Sequence, residues 1–241
     1  MVEDAKIRSN VCIGQDTYRM ELVCDSSQAA PGQFIQIEIP DFFLRRPISI
    51  CEIKEDGLVI IYKVVGKGTE KLATLKEGTV NIFGPLGTGF PIEKVDHVVL
   101  MGGGVGVPPL YETAKQYLKQ GTQVDVILGF NTHQQALYVD EFKALGTNVY
   151  VATMDGSQGT QGTVIDAANE NQIHCDFVLA CGPLPMLRAI QNTYPKGYVS
   201  LEARMACGIG ACMGCVVKDQ ADHALRVCKD GPVFEFGKVV L

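Results

Sequence analysis

The sequence predicts a β plus α/β protein: an N-terminal antiparallel β-barrel over residues 1–92, a doubly wound parallel α/β domain over 93–198, and a small C-terminal subdomain over 199–241. Three observations predict it. Short strand-like runs separated by turn residues fill the first third, strands and helices alternate through the middle, and four cysteines gather in the last fifth.

The bulk numbers bound the answer. A chain of 241 residues exceeds one average domain, and 46% hydrophobic with 20% charged residues is a globular composition. A net charge of -6 without any Lys/Arg cluster excludes the electrostatic footprint of nucleic-acid binding. No apolar run approaches the ~18 residues a membrane span needs, and no signal peptide precedes the first strand, so a soluble, cytoplasmic protein is expected. The four histidines are far apart and form no metal or triad pattern.

In the barrel region, Ile35, Ile37 and Ile39 alternate with Gln36 and Glu38, and Leu58 to Val65 is a β-branched run opened by Asp56-Gly57. Pro31-Gly32 and Asp56-Gly57 are the expected turns, Thr69 to Leu75 the expected helix, and Gly84-Pro85-Leu86-Gly87 closes the unit. Two places carry chemistry. Arg45-Arg46-Pro47-Ile48-Ser49 enters a strand through a fixed-φ proline and presents a cation beside a hydroxyl, which suits a pyrophosphate; two solvated arginines on a strand edge are the plainer alternative. Tyr62-Lys63-Val64-Val65-Gly66-Lys67-Gly68-Thr69 runs from a strand through a glycine turn into a helix, an anion site with Thr69 as its cap.

After residue 95, His97 to Met101 reads as a buried strand, Gly102-Gly103-Gly104-Val105-Gly106 as a turn, and the residues to Lys119 as a helix. The alternation continues with strand Val124–Phe130, helix Gln134–Leu145, strand Asn148–Ala152, helix Val164–Asn169, strand Phe177–Cys181 and helix Leu184–Tyr194. Ligands of such sheets bind beyond the carboxyl ends of the strands, where the glycine turn and Cys181-Gly182-Pro183 fall. The turn is not a G-x-G-x-x-G fingerprint, and Asn131-Thr132-His133 offers no arginine for a 2′-phosphate, which favours NAD over NADP.

Cys207, Cys212, Cys215 and Cys228 form the pattern C-x4-C-x2-C-x12-C, the plant-type [2Fe-2S] spacing, with Gly208, Gly210 and Gly214 expected at positive φ between them. Val216 to Lys218 and Leu225 to Val227 read as a hairpin that returns Cys228 to the loop. Structural zinc also takes four cysteines, usually as two short C-x2-4-C pairs. An odd total of nine cysteines argues against a disulfide framework, and most of the scattered five, Cys12, Cys24, Cys51, Cys175 and Cys181, read as small buried hydrophobes.

In this order the motifs resemble the ferredoxin-reductase superfamily. The run Ser200 to Val217, with Val227 to Phe234, is similar to the family of electron-transfer subunits of NAD-dependent (class 1B), two-subunit dihydroorotate dehydrogenases, and the resemblance covers nearly the whole chain. It implies an FAD site at Arg46, Pro47, Ile48, Ser49, Ile61, Tyr62, Lys63, Gly68 and Thr69. For NAD(H) as substrate it implies a site at Gly102, Gly103, Gly104, Gly106, Cys181, Gly182 and Pro183. The four cysteines become the [2Fe-2S] ligands. It further implies an FMN-containing catalytic partner that oxidises dihydroorotate in pyrimidine (UMP) biosynthesis, in a two-plus-two heterotetramer. Two alternatives stand beside this: a flavin and iron-sulfur subunit of a ferredoxin-NADP reductase or sulfide dehydrogenase complex, whose relatives often place Asp where this chain has Cys207, and a zinc-stabilised nucleotide-binding module.

Overall fold

The computed structural model describes residues 1–174 and 176–241; Cys175 lies outside the described residues. Six antiparallel strands close a barrel in the order β1-β2-β5-β4-β3-β6: β1 (Val2–Gly14), β2 (Thr17–Val23), β3 (Phe34–Ile37), β4 (Arg46–Lys54), β5 (Gly57–Lys63) and β6 (Thr79–Leu86). Helix α1 (Lys67–Thr74) crosses from β5 to β6 and begins two residues before its expected start. The Gly84-Pro85-Leu86 segment, expected to end the barrel's pattern, forms the last residues of β6 itself and pairs Leu86 with Phe34.

Strand β5 shows why a continuous apolar run was needed. Leu58, Ile60 and Tyr62 fill the barrel interior with Ile35, Ile37 and Ile50, while Val59 and Ile61 face outward into a second core. That second core belongs to the α/β unit. Its sheet runs β10-β9-β8-β7-β11-β12-β15. Its parallel strands are β7 (His97–Gly103), β8 (Gln123–Phe130), β9 (Asn148–Thr153), β10 (Thr160–Gln161), β11 (Phe177–Cys181) and β12 (Lys196–Ser200). Helices α2 (Pro109–Lys119) and α3 (Val139–Ala144) cover one face, and α4 (Val164–Glu170) and α5 (Leu184–Thr193) the other.

The helix expected over Gln134–Leu145 is half that length. His133–Gln135 makes one 3-10 turn, Ala136 is extended, and Tyr138 takes a left-handed φ of 62° before α3 begins. The cause is tertiary: the Tyr138 ring is buried edge-on to Tyr111 with Phe142 beside it, which holds residues 134–137 out over the strand ends. The other helices and strands expected in this unit fall within one or two residues of the sequence reading, while β10 and β12 were not expected.

The C-terminal residues are not a free appendage. A hairpin of β13 (Val216–Lys218) and β14 (Ala224–Arg226) is followed by β15 (Val233–Glu235), which pairs antiparallel with β12 as the last strand of the large sheet. Of the four scattered cysteines described, Cys51 and Cys181 are buried, Cys24 is half-buried and Cys12 is exposed on β1, so only two match the expected burial. No helix among the described residues is long and apolar enough to cross a membrane.

Barrel and sheet meet where β4 lies on α2. Cys51 of β4 joins Leu110, Ala114 and Tyr117 in one apolar core. Within it Glu112, 1% exposed, accepts the backbone N–H of Ile53 at 3.0 Å and the Gln116 amide at 2.6 Å. Lys115 bridges Glu112 at 3.1 Å and Glu52 at 3.0 Å. A buried carboxylate is tolerated only with such partners, and removing it strands them. Glu112→Ala is expected to lower the unfolding free energy by about 3 kcal/mol, read from urea unfolding, whereas Glu112→Gln keeps an acceptor for Ile53 and costs less.

Candidate functional site

Two adjoining hollows open where the barrel, the strand ends of the sheet and the C-terminal segment meet. The first is a pocket of about 310 Å3. Arg46, Pro47, Ile48 and Ser49 at the start of β4 line one side, and Ile61, Tyr62, Lys63 and Thr69 another. Tyr62 contributes only its backbone surface, because its ring is buried in the barrel with the hydroxyl donating to Asn10 at 2.9 Å. Gly68 lies at an adjacent recess with Arg46, Phe42 and Val65, where the Arg46 guanidinium stacks 5.0 Å from the Phe42 ring centroid and bonds the Leu44 carbonyl. Thr69 does not occupy the cap position itself. It is the third helical residue, and its hydroxyl oxygen accepts from the Val65 and Gly66 amides at 2.9 and 3.2 Å while donating to the Gly66 carbonyl.

The second hollow is a cleft of about 340 Å3 at the carboxyl ends of β7 and β11, where the strand order reverses. Gly103, Gly104, Gly106, Gly182 and Pro183 line it. Gly102 and Cys181 stand behind the lining as paired residues of β7 and β11. Burial, then the charge of Glu202, pushes the Cys181 thiol up to about 12. Gly106 has to be glycine: a Cβ there would overlap the Cys181 carbonyl and the Gly182 Cα.

Several lining residues carried no pattern in the sequence. Gln15 and Thr17 reach the cleft from the β1–β2 hairpin, and residues 134–137 close it from above. Leu201, Glu202, Ala203 and Met205 complete the pocket from the C-terminal segment. Lys63, Val105 and Glu202 line both hollows, so one wall separates them.

Two residues beyond Met205 begins the cysteine loop. The thiols stand as two pairs. The Cys212 amide donates to Cys207 Sγ at 3.4 Å, and the Cys228 amide to Cys215 Sγ at 3.4 Å. Backbone N–H groups of Cys212 and Ile209 pull the Cys207 thiol down to about 6, whereas burial and the neighbouring Cys215 push Cys228 up to about 12. Gly210 donates to Cys228 Sγ at 3.1 Å. Gly208 and Gly210 have the expected positive φ, but the third such residue is Met213 at 56° rather than Gly214. Gln36, a polar residue of the alternating strand β3, is 1% exposed and donates to the Ala206 carbonyl at 3.4 Å, tying barrel to loop.

Four thiols with amide donors directed at sulfur suit a soft metal centre. Among the described residues no three Cys, His, Asp or Glu side chains converge as a group able to hold one metal ion. The C-x4-C-x2-C-x12-C spacing suits a binuclear cluster better than the two short pairs usual for zinc.

A family model described as the iron-sulfur cluster binding domain of dihydroorotate dehydrogenase B matches residues 202–240, and one for an oxidoreductase NAD-binding domain matches residues 100–192. The dihydroorotate dehydrogenase B (NAD(+)) electron transfer subunit of Fusobacterium nucleatum is 46% identical over 97% of this chain and 96% of its own length. The chain belongs to that family. The corresponding subunit of Bacillus mycoides is 45% identical over 95% of each chain. A solved structure described as an NADH-dependent reduced ferredoxin-NADP oxidoreductase shares 31% identity with this electron transfer subunit family member, with a TM-score of 0.89 over 98% of this chain and 89% of that one. Phthalate dioxygenase reductase, at 19% identity and a TM-score of 0.68 over 98% of this chain and 77% of its own, shares the fold.

The close approach at Gly106 generates a direct expectation. Gly106→Ala forces the glycine turn away from the Cys181–Gly182 corner, an overpacking cost that should weaken dinucleotide binding roughly tenfold, measured by calorimetric titration.

Proposed function

We propose that this subunit passes electrons between a partner catalytic subunit, which oxidises dihydroorotate at FMN, and NAD+. In this reading residues 1–92 hold FAD, 93–198 bind NAD(H), and Cys207, Cys212, Cys215 and Cys228 within 199–241 hold the [2Fe-2S] cluster. The partner assembles with it as a two-plus-two heterotetramer in pyrimidine biosynthesis. One observation carries the reading: the wall of Lys63, Val105 and Glu202 is shared by the pocket and the dinucleotide cleft, and the segment that completes this pocket runs directly into the first cluster cysteine.

FAD supplies the exchange between the two-electron chemistry of nicotinamide and the one-electron chemistry of the cluster. The chain's own residues do the positioning. Arg46, pinned by Phe42 and Leu44, presents a guanidinium suited to phosphate oxygens, and Ser49 places a hydroxyl on the same wall. Gly103, Gly104 and Gly106 let a dinucleotide approach the backbone at the strand ends. Exposed Ile209, Cys212, Met213 and Val216 give the cluster loop an apolar outer surface for the partner.

The division of labour is tested by supplying dihydroorotate and NAD+ to the isolated, cofactor-loaded chain. No NADH should form until the FMN-bearing partner is added, and appreciable NADH from the chain alone would refute the reading. Anaerobic absorption and electron paramagnetic resonance spectra should show flavin and a reduced [2Fe-2S] signal. For Arg46→Ala the expected outcome is a purified chain with clearly less bound flavin and an unchanged iron content, both read by absorbance and metal analysis.

A further inference from the structure

Among the residues of the shared wall only Lys63 and Glu202 are titratable. Glu202 follows β12, and among the described residues it makes no hydrogen bond or ion pair, Lys63 included. Its side chain is exposed and lines both hollows, and partial desolvation by the surrounding protein raises its pKa. Its charge is felt by the buried Cys181 thiol on the last residue of β11, which places that charge at the strand ends where the cleft lies. A carboxylate left unpaired on a wall of both hollows attracts a cation brought into contact with it. Lys63 is different in kind: a strongly hydrated ammonium on a flexible four-carbon stem, able to turn toward phosphates.

The oxidised and reduced dinucleotides carry the same sugars and phosphates. They differ at the ring, which is a pyridinium cation in NAD+ and neutral in NADH. We propose that Glu202 is the specificity-determining residue that distinguishes the two redox forms of the dinucleotide, its unpaired carboxylate favouring the cationic ring at the wall shared with the flavin pocket. The site thereby holds the oxidant and loosens its grip on the reduced product. This rests on the dinucleotide reading of the cleft given above.

The test compares two probes on the FAD-loaded chain by calorimetry: NAD+ and 1,4,5,6-tetrahydro-NAD, whose ring is neutral and does not transfer hydride. Glu202→Gln should weaken NAD+ roughly tenfold while the neutral analogue changes less than about twofold, and Glu202→Asp should keep the wild-type ratio. Flavin absorbance confirms loading. Should Glu202→Gln lose flavin, the pair Glu202→Asp and Glu202→Asn reads the same charge difference at shorter reach. Equal changes for both probes, or no change for either, overturn the proposal while leaving the dinucleotide cleft intact. A wild-type chain that binds neither probe overturns both.

Discussion

The hydrogen bond from Ile53 to the buried Glu112 carboxylate joins two rigid elements that both begin at the sites. Strand β4 begins at Arg46 in the pocket, and helix α2 begins just beyond the glycine turn at the cleft. A displacement at this crossing would be carried along both elements, because a helix and a paired strand transmit strain rather than absorb it. Gln116 and Lys115 satisfy the remaining oxygen and the charge, so the crossing is specified by direction and not by apolar packing alone. Cys51, Val59 and Ile61 then exclude water around it with Leu110 and Ala114.

The second dependence is a close approach that only glycine permits. Gly106 lies against the Cys181 carbonyl, and Gly103 against Pro183 and Met186. The turns after β7 and β11 therefore nest, and the wall of the cleft that they form is backbone. A lining of main-chain groups is the surface a pyrophosphate needs, since side chains would hold it at arm's length.

The periodic parts of the chain were legible in sequence. A two-residue period gave the barrel strands, the strand–helix alternation gave the sheet, and cysteine spacing gave the loop, because each of these is a local pattern repeated by local geometry. The misses share a cause. Gln36 sits in an alternating strand as though solvent-facing, yet a loop about 170 residues later in the chain covers it. The break at Tyr138 is imposed by a pocket between Tyr111 and Phe142 rather than by any helix-stopping residue. Gln15, Thr17 and the Leu201–Met205 segment become lining residues only when the chain folds back on itself, and nothing in their local composition marks that.

Continuity of the chain accounts for the last link. Met205 lines the pocket and Cys207 opens the cluster loop, and two residues of backbone span at most about 7 Å between their Cα atoms. The first thiol is thus held near the pocket by covalent reach, whatever the loop beyond it does. Gln36 and Leu86 pack on Gly208, so the barrel wall fixes the same point from the other side. Beyond it the loop divides by burial: Cys215 and Cys228 sink into the core of the large sheet beside Val199 and Phe234, while Cys212 faces solvent. A centre held by these thiols is anchored on its inner side by the sheet and reachable on its outer side by another protein. That polarity is what a one-electron relay to a partner requires, and a zinc placed only to brace a fold would gain nothing from it.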